Sequence, residues 1–190
     1  MSSYYMLECI APEDWDDPAL VEGIAPPTGE DSWRLGRRFL NPPTRPIEVS
    51  LHADYGIQLK ELRNVDTLLM TKRLHKALLD AGVSNLDAYP TIIRHRSRPF
   101  ETDDYVACNL IGLVSAVDAA KSRIIGSSPD GLIDTDFESV ALDDRKAQGA
   151  LMFRLAENTS AVIVHESVKD YLQANGFDML TFVPPSEWIG

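Results

Sequence analysis

Residues 151–183, LMFRLAENTSAVIVHESVKDYLQANGFDMLTFV, decide the fold class. Residues 151–155 and 161–164 are short apolar runs rich in branched and aromatic side chains, split by Glu157-Asn158-Thr159. They read as adjacent strands joined by a turn. A helix is predicted over 166–174, with Val168, Tyr171, Leu172 and Asn175 on its inner stripe. His165 is placed to precede or cap it, and Gly176 ends it. Residues 179–183 close the stretch as a last strand.

Upstream, residues 105–114 (YVACNLIGLV) predict a strongly apolar, central strand. Residues 88–95 (AYPTIIRH) predict another, with Pro90 marking an edge or a strand start. The polar spacer 96–104 reads as a hairpin-like connection. The clearest helical pattern covers 66–81, with Asp66 as N-cap and Leu68, Leu69, Leu74, Leu78 and Leu79 on one broad face. Gly82 stops it, and Arg73 and Lys76 suit its C-terminal dipole. Residues 47–51 and 4–10 read as strands, and short strands are expected at 131–133 and 140–142. Seven prolines between 11 and 46 exclude long regular structure there. That segment is expected to be irregular but ordered, anchored by Trp15, Trp33 and Phe39. Strands dominate and no βαβ alternation runs the length of the chain. The expectation is one α+β domain over 1–190, mostly antiparallel, with two main helices.

Composition narrows the function classes. The 190 residues carry 18 bases and 29 acids, a net charge of −11. Clustered Lys and Arg attract nucleic acid, so this chain is a poor direct binder of it. No apolar run reaches the roughly 18–20 residues of a membrane span. The start, MSSYYMLECIAPEDWDD, lacks the basic n-region of a signal peptide, so a cytoplasmic location is expected. Cys9 and Cys108 are far apart in strand-like segments, which suggests neither a CxxC site nor a disulfide framework.

The charge is segregated. Residues 13–31 hold seven acids and residues 124–144 six more, with no Lys or Arg in either window. Those windows read either as solvated loops or as a surface that steers and docks a cationic partner. Trp15 lies within Glu13-Asp14-Trp15-Asp16-Asp17, and Trp33 follows Glu30-Asp31-Ser32. A large aromatic ring with an acidic rim has the composition of an interface anchor; the same rings can equally pin the Pro-rich segment to a core.

No catalytic constellation emerges. His52, His75, His95 and His165 have no metal-ligand spacing. Asp134, Asp136 and Glu138 start like a calcium loop, but Ser139 and Arg145 stand where the glycine and the bidentate acid belong. There is no GxSxG, Walker or GxGxxG motif. Cys108 could pair with His95 or His165 as a nucleophile, but in an apolar strand it reads as a small hydrophobe. No metal or cofactor is expected.

The stretches 74–95 (LHKALLDAGVSNLDAYPTIIRH), 105–122 (YVACNLIGLVSAVDAAKS) and 151–183 resemble the bacterial immunity-protein family eleven of polymorphic toxin loci, formerly a domain of unknown function. The resemblance covers about 62–183, and residues 1–61 match it loosely. It implies a non-enzymatic protein that binds a co-encoded toxin and prevents self-intoxication. Together with the acidic charge, it points to a basic toxin, a nuclease delivered by a type VI or other contact-dependent route. Asp14, Trp15, Asp16, Asp17, Glu30, Asp31, Trp33, Asp130, Asp134 and Asp136 are the residues expected to meet that toxin. Two other readings stay open. One is an adaptor or chaperone for a secreted effector. The other is a metal-dependent hydrolase using Asp134, Asp136 and a distant His.

Overall fold

The computed structural model describes residues 2–128 and 131–190, without the side chains of 126–134. Along the chain run β1 (Tyr4–Cys9), β2 (Ile47–Leu51), β3 (Leu62–Asn64), β4 (Leu68–Thr71), α1 (Lys72–Asp80), β5 (Leu86–His95), β6 (Glu101–Thr102) and β7 (Tyr105–Leu110). There follow β8 (Leu113–Val114), β9 (Arg123–Ser128), β10 (Gly131–Ser139), β11 (Met152–Leu155), β12 (Val162–His165), α2 (Glu166–Ala174) and β13 (Leu180–Val183). One sheet has the order β13-β1-β12-β11-β8. A second has the order β2-β5-β7-β4-β3, with β6 beside β5, and β9 and β10 form a separate hairpin. Among the described strands only β8–β11 and β2–β5 pair in parallel, so the architecture is α+β and mostly antiparallel, as the sequence predicts.

Alternation along the strands explains the layering. Leu7, Met152, Val162 and Val164 of the first sheet face Leu68, Met70, Val106 and Cys108 of the second, with α1 and α2 closing the same core. The intervening residues Tyr4, Met6, Phe153, Leu155 and Ile163 point the other way, onto Phe137 and Trp188. On the far face of the second sheet, Leu69, Ala107 and Ile93 carry Val21, Ile24, Trp33 and Phe39 of the Pro-rich segment. Both sheets are therefore covered on both faces. That is why β7, β11 and β12 read as continuous apolar runs rather than alternating ones.

Several boundaries differ from the sequence expectation. The helix predicted over 66–81 starts six residues later, at Lys72, and Thr71 rather than Asp66 is its N-cap. Leu68, Leu69 and Met70 are fully buried in β4, between β3 and β7. An apolar run buried on two faces satisfies helix and strand periodicity alike, and pairing to both neighbours decides for the strand. The strand predicted over 105–114 breaks at Gly112, whose φ of 130° suits glycine. There the chain leaves the second sheet as β7 and joins the first as β8. Pro90 is internal to β5 and not at its start, on the part of the strand that has a partner on one side alone. Residues 86–90 of β5 pair with β7 and residues 91–95 with β2, so the proline sits where one partner gives way to the other. The short strand expected at 131–133 is the start of β10, which runs on to Ser139, whereas the one expected at 140–142 leaves only an isolated bridge from Leu142 to Val117.

The helix ends follow their local signals. His165 caps α2, its Nδ1 accepting from the Ser167 N–H at 3.2 Å. Arg73 lies in the first turn of α1, away from that helix's C-terminus. Its guanidinium donates to the Asn175 and Gly176 carbonyls at 2.8 and 2.9 Å and stacks over Phe177. It thus serves the C-terminus of α2 and ties the helices together.

The Pro-rich segment is pinned by backbone contacts. Pro18 bridges Gln58, Val21 bridges Leu51, and the Gly56 N–H donates to the Pro18 carbonyl at 2.9 Å. A Cβ on Gly56 would fall 1.9 Å from the Asp17 carbonyl oxygen. Gly56→Ala is accordingly expected to destabilise the fold by about 1–3 kcal/mol, read as a lower urea midpoint with unchanged slope.

Candidate interaction surface

The described parts of the two acidic windows lie on opposite sides of the layered fold. Residues 13–31 belong to the segment covering the second sheet, and β10 belongs to the layer covering the first. They do not merge into one patch.

Bases from outside the windows neutralise part of each. Arg98 binds Asp17 through both carboxylate oxygens, at 3.0 and 2.7 Å. Arg96 pairs with Glu22 at 2.6 Å and Arg37 with Glu30 at 2.9 Å. Arg123 pairs with Glu138 and Arg145 with Asp143, each at 2.9 Å. The expected surplus of free carboxylates is thus smaller than the sequence windows suggest, because Arg96 and Arg98 fold back onto the first of them. Apart from Arg37–Glu30, whose carboxylate is buried, these pairs are partly exposed and contribute about 0–1 kcal/mol each, so their main effect is on the surface field.

Five of the expected residues, Trp15 apart, are buried, half-buried or outside the described residues. Trp33 is 2% exposed, its indole N–H donates to the Ala25 carbonyl at 3.1 Å, and it meets Phe39 and Tyr89 edge-on. Of the two readings left open for this ring, the core one holds. Glu30 is buried as well, accepting from the Leu40 N–H at 2.7 Å while facing Arg37. Asp130 and the side chain of Asp134 lie outside the described residues. Asp17 is half-buried and structural, accepting also from the Ile57 N–H.

Asp14, Asp16 and Asp31 are exposed, as is Asp136 on β10. Glu13, absent from the expected set, is exposed too. Glu13, Asp14 and Asp16 surround a half-buried Trp15 on a turn closed by the Trp15 N–H to the Pro12 carbonyl, at 3.3 Å. None of these three acids is in an ion pair with a described residue, whereas Asp17, next in sequence, is. Residues 13–16 are therefore an acidic turn between β1 and the Pro18–Gln58 bridge. Adjacency alone could have included Glu13.

The residues weighed for catalysis have other employment. The His95 ring is buried, with Nε2 donating to the Tyr55 carbonyl and Nδ1 accepting from the Ser97 and Arg98 N–H groups. His165 is the helix cap described above. Burial pushes the Cys108 thiol well up, which keeps it protonated. Among the described residues no group of three or more His, Cys, Asp or Glu could hold a metal ion, and no helix is long and apolar enough to cross a membrane.

The Arg145 guanidinium, hydrogen-bonded to the half-buried Asp143, holds that carboxyl down at about 2. The ion pair is complete above the ordinary carboxylate range and is lost as the pH falls through that value. A side-chain carboxyl titration followed by NMR should give Asp143 a midpoint near 2.

The immunity protein family Imm11 matches residues 4–185. This chain belongs to that family, and its function is an immunity function. The match includes the Pro-rich segment, which the resemblance read from sequence covered only loosely. No curated protein matches the chain.

Proposed function

We propose that this protein binds a cognate antibacterial toxin with a basic surface, a nuclease, and neutralises it in the cytoplasm by covering its active site. The observation that carries the reading is the exposed acidic turn at Glu13, Asp14 and Asp16 around Trp15. Carboxylates displayed there can stand where nucleic-acid phosphates would lie on the toxin. They also steer a cationic partner during its approach. Trp15 supplies apolar contact area at the centre of that charge. Asp31 and Asp136 are further exposed acids of the expected set, on separate parts of the surface.

Co-expression with the toxin encoded beside it, delivered by a type VI or other contact-dependent route, tests the reading. Sister cells should survive, and the two chains should co-purify as a one-to-one complex. A complex that forms while toxicity persists would make the protein an adaptor and overturn neutralisation.

A further inference from the structure

The Pro-rich segment forms a surface groove of about 450 Å³. Two proline pairs line it, Pro26 and Pro27 from one loop and Pro42 and Pro43 from another, with Asn41 and Arg45 beside them. Glu30 ties the two loops together. Its N–H donates to the Pro27 carbonyl at 2.9 Å, and its buried carboxylate accepts from the Leu40 N–H at 2.7 Å. Phe39, buried against Trp33, anchors the second loop. Leu40, next to Asn41, is 78% exposed, more than any other large apolar side chain among the described residues. The local charge is the reverse of the chain's. From Ser32 to Ile47 there are four arginines and no acid. Arg37 and Arg38 pair with Glu30 and Asp87, but the exposed Arg45 is in no ion pair with a described residue.

Proline rings present apolar faces to aromatic rings, at little entropic cost because they are already rigid. A guanidinium beside such a groove attracts both a ring face and a neighbouring carboxylate. The ligand that fits is therefore an aromatic side chain with acids at its flanks. Among the described aromatic rings that border solvent, Trp15 alone has an acid on each side, Asp14 and Asp16, and neither is in an ion pair with a described residue. Trp15 does not line the groove of its own chain. We propose that the groove receives the Trp15 turn of a second copy of this chain, with the indole against the proline pairs and Asp14 or Asp16 against Arg45. Groove and turn are different patches, so the contact is head-to-tail and can repeat from copy to copy. One ring and one ion pair make a small interface, with a Kd on the order of 0.1 mM.

The test is sedimentation equilibrium of the full chain at about 0.15 M salt, where repulsion between copies of net charge −11 is screened beyond about 8 Å. The wild-type average mass should rise above that of a monomer as the concentration passes the Kd. Arg45→Glu keeps the turn, and the double variant Asp14→Lys, Asp16→Lys keeps the groove. Each should stay monomeric with an unchanged circular dichroism spectrum. Mixed in equal amounts, the two variants retain one intact turn and one intact groove between them. They should form a one-to-one dimer of wild-type affinity that grows no further. Three results would overturn the proposal: a wild-type chain that stays monomeric, self-association that survives in either variant alone, or a mixture that gives no dimer. No toxin takes part, so the outcome is independent of the neutralisation reading.

Discussion

Replacing Trp33 with alanine should lower unfolding free energy by about 3–5 kcal/mol while leaving the toxin affinity of the folded protein unchanged. The ring is 2% exposed and sits 5.1 Å from Phe39 and 6.0 Å from Tyr89, centroid to centroid. Truncation removes those contacts, leaves a void on the far face of the second sheet, and strands the Ala25 carbonyl that its indole N–H satisfies. The Pro-rich segment has little regular hydrogen bonding of its own, so it depends on such anchors. Urea unfolding of Trp33→Ala and calorimetric titration with the toxin separate the two effects. Normal stability with lost affinity would return Trp33 to the interface and refute the core assignment.

Reversing Glu13, Asp14 and Asp16 together to lysine should weaken toxin binding at low salt by roughly 100-fold, about 3 kcal/mol, with most of the change in association rate. These side chains are exposed and make no ion pairs with described residues, so the unfolding midpoint should hardly move. Asp17 is left out of the set because its carboxylate holds Arg98 and the Ile57 N–H, and its reversal would damage the fold as well. Wild-type affinity should fall steeply with added salt, and the variant's should not. Equal affinities at low and high salt in both proteins would place the interface elsewhere.

Much of the fold was legible because its signals are local. The α2 boundaries follow from Gly176 and the stripe of Val168 and Leu172, and the three C-terminal strands from their turns. The start of α1 was not legible, since Leu68 to Met70 fit a helix face as well as a doubly covered strand. Only the β7 partner separates them. The site shows the same division. The acidic turn was visible in the residues themselves. Its true extent was not, because Arg96 and Arg98 reach the first window from the far end of β5. Trp15 and Trp33 have nearly the same sequence surroundings, yet one borders solvent and the other is core. Composition cannot tell an interface anchor from a core anchor, since both demand a large apolar ring.

The first strand of the chain lies between two of the last. β1 pairs with β12 through Tyr4 and His165, and with β13 through Cys9 and Leu180. The centre of the first sheet therefore stays open until the final quarter of the polypeptide exists. At about 5–20 residues per second, the emerging N-terminus waits roughly 10–30 s for those partners. Pairings this distant in sequence also fold slowly once the chain is complete. A protein built this way gives no protection while it is being made. Immunity therefore depends on completed chains, since no product ending before β12 can close the first sheet.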